Sequence, residues 1–179
     1  MIIDMRLRAP YRSYKNSFCA QQERIKALAY ERFKTPTPPS LETADINDTL
    51  AEMDEAGVSL AVVPVRRRNN LNNNEDARKI TEEYPNRFLG VPCVDIFEGK
   101  EAALKIIDDY IINGPCKALM IEPGFSQEPL YADDERLYII YEKCQTENIP
   151  LLLTFGGFIG PDYSYCSPLL IDHVARDFP

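Results

Sequence analysis

The sequence is short of the residues that announce most kinds of chemistry. It has one histidine, His173, and no tryptophan. A single histidine excludes a classical multi-histidine metal site built from this chain alone. Its five cysteines, Cys19, Cys93, Cys116, Cys144 and Cys166, are odd in number, widely spaced and without a CxxC pair. They read as reduced thiols of a cytoplasmic protein, mostly core filler, rather than a disulfide framework. Positive charge is also scarce: 20 Lys and Arg stand against 28 Asp and Glu, a net charge of -8. That balance argues against nucleic acid as a partner. The longest apolar runs, such as "IPLLLTFGGFIG", are too short to span a bilayer, so no membrane association is expected. The first residues lack the basic-then-apolar layout of a signal peptide. The one glycine-rich stretch, "TFGGFIGPD", lacks the GxxxxGK[ST] spacing that cradles phosphates, which excludes a P-loop.

What is present is an ordinary globular composition of 179 residues, 45% hydrophobic and 27% charged. It is enough for one domain over 1–179 with a real core. Short apolar runs alternate with helical periods. "IIDM", "SLAVVPV", "FLGVPCV", "CKALMIE" and "PLLLTF" read as strands. Helices are expected from about Ala44 to Ala56, Glu75 to Tyr84, Glu98 to Ile112, Asp133 to Asn148 and Pro168 to Asp177, with Gly57 just past the end of the first. Residues 11–42 read as an insertion after the first strand. They hold a helix around Cys19–Phe33 and then "KTPTPPS", whose prolines block regular structure. A run of β-then-α units with strands apolar throughout implies a parallel sheet covered on both faces. Two closures fit: an open doubly wound sheet, or the first five units of a barrel whose complete form takes roughly 250 residues. Counting alone leaves both open.

In either closure a ligand binds at the C-terminal ends of the strands, and the polar residues gather there. The first strand ends in Arg6 and Arg8, two apart and therefore on one face. The second runs into "RRRNNLNNN" from Arg66, which reads more as a solvated loop than as a binding clamp. The third ends near Asp95 and the fourth at Glu122. The fifth ends at Thr154, Gly156, Gly157 and Asp162. An arginine fork suits bidentate binding of a carboxylate or phosphate. The expected partner is therefore a small anion, with Glu122 or Asp162 as general acid or base. Arg6, Arg8, Arg66 and Thr154 would hold the ligand, and the Gly156–Gly157 backbone would turn close to it. Tyr163 and Tyr165 line a pocket or simply pack, and His173 reads as a structural residue of the last helix.

At these strand ends the chain resembles a known family. "MIIDMRLRAP", "MDEAGVSLAVV", "PNRFLGVPCVD", "DDERLYIIYEKCQTENIPLLLTFGG" and "HVARDFP" are, in order, similar to the amidohydrolase-related metal-dependent hydrolases. That group includes aminocarboxymuconate-semialdehyde decarboxylase-like and pyrone-dicarboxylate hydrolase-like enzymes. The resemblance implies a (β/α)₈ barrel of the TIM type, with this chain covering about the first five units. It also implies a hydrolase acting on a lactone, amide or related bond of a carboxylate substrate, or a decarboxylase. In that family the first strand ends in a metal-binding His-x-His, where this chain has Arg6 and Arg8. The fourth commonly ends in Lys-x-His, here Met120 and Glu122, and the fifth supplies a His, here Thr154. A divalent metal such as zinc is implied by the family, but its histidine ligands are absent from these positions; Glu122 and Asp162 could still hold one with help from further strands. The polypeptide is expected to continue past Pro179, or two copies to pair as a homo-oligomer through the open sheet edges. A carboxylate-binding protein without catalysis, on the same scaffold, is the alternative to an enzyme.

Overall fold

The computed structural model describes residues 1–15, 26–68, 71–154 and 161–179. Apolar, β-branched runs form the strands. β1 (Ile2–Asp4) pairs in parallel with β2 (Val58–Pro64), and β2 pairs with β5 (Phe88–Val91). β6 (Cys93–Val94) pairs in parallel with β7 (Leu119–Ile121), and β7 pairs with β8 (Leu151–Leu153). Only Pro92 separates β5 from β6. It has no N–H to give a ladder, yet its carbonyl accepts from Met120 N at 2.8 Å, while Val65 N donates to Val91 O at 3.0 Å. The two sheets are thus one wall, bent at Pro92. Neighbours in this wall are neighbours in sequence. A doubly wound sheet would reverse its order at a switch point; this wall does not, so it curls as a barrel segment.

The helices are α1 (Pro39–Thr43), α2 (Ile46–Glu55), α3 (Asn74–Glu83), α4 (Lys100–Ile107), α5 (Tyr138–Thr146) and α6 (Pro168–Asp177). Strand residues alternate between two apolar clusters, as the pleat requires. Ala61, Val63, Val65, Phe88, Leu119 and Ile121 face the helices, packing with Met53, Ala77, Ile80, Ile107 and Ile140. Val62, Val91, Cys93, Ala118 and Met120 face the other way, with Leu89 and Leu152 beside them. This second set lines the inside of the curl. Fully burying a side chain such as Phe88 or Ile107 contributes about 1.5–3 kcal/mol.

Two local devices hold α3 against the bend. Gly90 lies so close to α3 that a Cβ there would fall 2.0 Å from the Ala77 carbonyl oxygen. Its N–H donates to Thr81 Oγ1 at 2.8 Å. Beyond Pro92, the side chain of fully buried Asn74 takes over from the ladder. Asn74 Nδ2 donates to Cys93 O, and Cys93 N donates to Asn74 Oδ1, both at 2.9 Å.

Two expectations are corrected, and the packing of a third stretch is seen. "KTPTPPS" (34–40) is not wholly irregular: its Pro39 starts α1, where the missing N–H costs nothing. "RRRNNLNNN" is more than a solvated loop. β3 (Arg67–Arg68) and β4 (Leu71–Asn72) pair antiparallel, and Arg67 Nε donates to Glu98 at 2.7 Å. The start of the 11–42 stretch belongs to the core. Tyr11 and Tyr14 are buried, and Asp76 accepts from Tyr14 N at 2.8 Å and from Ser13 Oγ. The helix expected around Cys19–Phe33 falls partly outside the described residues; Lys26–Glu31 is helical with a π pitch.

Candidate functional site

Period two carries the inner face to the strand ends. On β2 it runs Val62, Pro64, Arg66; on β7, Ala118, Met120, Glu122; on β8, Leu152, Thr154. After β1, Leu7 N donates to Val62 O at 2.9 Å and Leu7 packs into the outer core. Arg6 and Arg8, on either side of it, take the opposite face. The parallel register pairs Met120 with Leu152 and Ile121 with Leu153, so Glu122 comes beside Thr154. Thr154 Oγ1 donates to Glu122 Oε1 at 3.2 Å, and both residues are only 7% exposed.

Arg8 lies within electrostatic range of Glu122, Arg66 and Arg6. Burial, and the neighbouring Arg66 and Arg6, hold the Arg8 pKa below its ordinary value, while Glu122 acts in the other direction. Tyr14 belongs to the same group. Burial pushes its phenol pKa up against the pull of Arg66, Arg8 and Arg6, and its hydroxyl donates to Pro64 O at 3.1 Å. Beside the mouth, Arg6 and Arg8 line a groove of about 420 Å³ with Tyr30, Pro38, Leu41 and Glu52. Glu52 is held there by Ser40, whose N–H and Oγ donate to its two oxygens at 2.7 and 2.6 Å.

Of the expected site residues, Arg6, Arg8, Arg66, Glu122 and Thr154 come together. Gly156 and Gly157 lie outside the described residues. Asp162 is placed differently from the catalytic role expected of it. It is exposed and caps the 3-10 helix Tyr163–Cys166, accepting from Ser164 N at 2.7 Å and Ser164 Oγ at 2.5 Å. Those bonds hold its carboxyl below the usual range. Tyr165 stacks on Tyr131 with ring centroids 4.5 Å apart, and Tyr163 is exposed. His173 Nδ1 meets Asp133 at 2.7 Å, away from the arginines. Reading by periodicity missed Tyr14 and the groove-lining Tyr30 and Leu41, because they lie in the stretch taken as an insertion.

A divalent metal does not fit this residue set. Among the described residues, no three His, Cys, Asp or Glu side chains gather where they could hold one. The guanidiniums of Arg6 and Arg8, which stand where the resembling family has its ligands, remain protonated and offer no lone pair.

No family model and no curated protein matches the chain. Solved structures do. An uncharacterized TIM-barrel protein from Bordetella bronchiseptica superimposes with a TM-score of 0.87 at 29% identity, covering 99% of this chain and 63% of that one. The 4-oxalomesaconate hydratase of Rhodopseudomonas palustris matches at TM-score 0.55 and 20% identity over 88% of this chain and 53% of its own. The 5-carboxyvanillate decarboxylase of Novosphingobium aromaticivorans, with bound manganese and a nitrobenzoic acid, matches at 0.58 and 15% over 97% and 55%. The fold is therefore α/β, of the (β/α)₈ TIM-barrel type. The chain spans 63% of the length of the first of these neighbours and about half that of the other two. No helix among the described residues is long and apolar enough to cross a membrane.

Proposed function

We propose that this chain carries the substrate-binding mouth of an amidohydrolase-type barrel enzyme acting on a small carboxylate-bearing substrate. The observation that supports it most is that buried Glu122, bonded to Thr154, ends β7 within electrostatic range of Arg8, itself in range of Arg6 and Arg66. The hydratase and decarboxylase among the fold neighbours are consistent with carboxylate chemistry on this scaffold. In this reading the guanidiniums anchor the substrate carboxylate through paired N–H donors. Glu122, oriented by the Thr154 hydroxyl, takes a proton from water as its oxygen bonds to the acyl carbon. The same carboxyl then returns the proton to the leaving group. A decarboxylase would use Glu122 instead to deliver a proton to the carbon that loses CO₂.

The second reading, a carboxylate-binding protein without catalysis, is favoured by the misfit of the site to a metal. Glu122→Gln separates the two. The full chain and the variant are assayed against lactones, amides and β-oxo acids, with carboxylate binding measured alongside. Turnover in the parent, lost in Glu122→Gln with binding kept, supports the enzyme. Binding without turnover in both supports the second reading, and undiminished turnover in the variant removes Glu122 from the mechanism.

A further inference from the structure

A second buried carboxylate has no part in the chemistry above, yet it is tied to two pieces of the mouth. Asp76 lies in the first turn of α3 and is 6% exposed. Its Oδ2 accepts from Tyr14 N at 2.8 Å, from Ser13 Oγ, and from Asn73 Nδ2 at 3.4 Å. Its Oδ1 faces Arg12 Nε at 3.7 Å, on an exposed side chain. From these bonds two routes lead to the strand ends. The first passes through Tyr14. Leu7 N donates to Val62 O in the seam between β1 and β2; two residues on, the Pro64 carbonyl accepts from the Tyr14 hydroxyl at 3.1 Å. The phenol thus continues that seam beside the row Val62, Pro64, Arg66. The second route passes through Asn73. Its N–H donates to Arg66 O at 3.0 Å, and its Nδ2 donates to Ser13 Oγ at 3.1 Å as well as to Asp76. Helix stability does not account for this side chain. At the N-cap of α3 it makes no cap bond, and its Oδ1 is buried with no hydrogen-bond partner among the described residues. An orphaned buried acceptor costs free energy, which points to the link made by Nδ2 as the role of Asn73.

We infer that Asp76 is a positioning residue of the mouth, which through Ser13 and Asn73 fixes where Tyr14 and Arg66 stand. This rests on the carboxylate reading above, which puts Arg66 on the ligand, and adds a residue that acts from behind it. The acceptor atom does the positioning, not the charge. All three donors meet one oxygen. An asparagine at position 76 can put its amide oxygen in that place and keep the network, with its NH2 toward Arg12, whose exposed side chain can turn away. An alanine there leaves Ser13, Tyr14 and Asn73 without their common partner.

The test compares Asp76→Asn with Asp76→Ala in the full chain by two readouts. One is the Arg66 ¹⁵Nε and Tyr14 ring resonances without ligand; the other is the dissociation constants of butyrate and benzoate by calorimetry. Both substitutions remove a negative charge from the first turn of α3 and lower stability, so a merely structural role would move both variants alike. In Asp76→Asn the resonances and the binding should stay close to the parent. In Asp76→Ala both resonances should shift and binding should weaken by about tenfold or more, the order of effect that a small displacement of a binding group carries. Asn73→Ala should shift Arg66 and weaken binding while Tyr14 stays in place, and it decides the matter if circular dichroism shows Asp76→Ala unfolded. Asp76→Asn as impaired as Asp76→Ala overturns the inference. Arg66 unmoved in Asp76→Ala, or in Asn73→Ala where that variant decides, overturns it as well. Carboxylate bound equally by parent and Asp76→Ala overturns the inference and leaves the carboxylate reading standing. If the parent binds neither carboxylate while the resonances move as stated, the carboxylate reading falls and the positioning of Arg66 by Asp76 is upheld.

Discussion

Removing the Asn74 side chain tests how the bend at Pro92 is held. Asn74 is fully buried and makes two bonds to the Cys93 backbone, one in each direction, both at 2.9 Å. Asn74→Ala leaves the Cys93 N–H and carbonyl inside the wall without these partners. A buried backbone group that loses its bond costs about 1–3 kcal/mol. Two such groups, less a fraction recovered by relaxation, put the loss at about 2–5 kcal/mol. With a urea slope of roughly 2 kcal/mol per molar, the unfolding midpoint should fall by about 1–2.5 M. Asn74→Asp is the sharper control. Its oxygen can still accept from Cys93 N, but it cannot donate to Cys93 O, and it buries a charge. It should be no more stable than the alanine variant. Amide exchange at Cys93 should quicken in both. A midpoint shift below about 0.3 M for Asn74→Ala, with Cys93 still protected, would mean that the β5–β6 bend is held by something else, and the reasoning from these two bonds would fail.

Two other outcomes follow from the packing. Gly90→Ala should destabilise the fold by about 3 kcal/mol or more in the same urea titration, because its Cβ would meet the backbone of Ala77 at 2.0 Å and no side-chain rotation relieves that; an unchanged midpoint would contradict the close approach of α3 to β5. Burial pushes the Cys116 and Cys144 thiols up to about 11 from 9.0. The unfolded chain thus releases these protons from pH 9 while the fold keeps them to about pH 11. Stability should therefore fall across that window by about 3 kcal/mol per thiol. Cys144→Ala should flatten the fall in thermal midpoint, and a parent midpoint constant from pH 8.5 to 11 would contradict the burial.

The strand ends were legible because both clues are local. Period two puts Arg6 with Arg8 and Met120 with Glu122, and the β-then-α alternation says which end holds the site. Counting could not choose between an open sheet and a barrel; that follows from the pairing of β1, β2, β5, β7 and β8 in sequence order. What stayed hidden depends on contacts between distant residues. Tyr14 joins the site because its amide is caught by Asp76, 62 positions away. The hairpin at Arg67 is braced by Glu98, 31 positions away. Asp162 is a different kind of miss. Its spacing to Ser164 is a local capping signal, since aspartate readily accepts from the N–H two residues on, and that signal outweighed the appeal of a carboxylate near a strand end.

The central claim, that three guanidiniums share one mouth, is tested most directly by side-chain ¹⁵Nε resonances of arginine during a titration of the full chain with succinate. Arg6, Arg8 and Arg66 should shift together along one saturable curve, while Arg136 and Arg176, each paired with its own aspartate, stay in place. Shifts spread over the exposed arginines, with Arg8 and Arg66 unmoved, would contradict it.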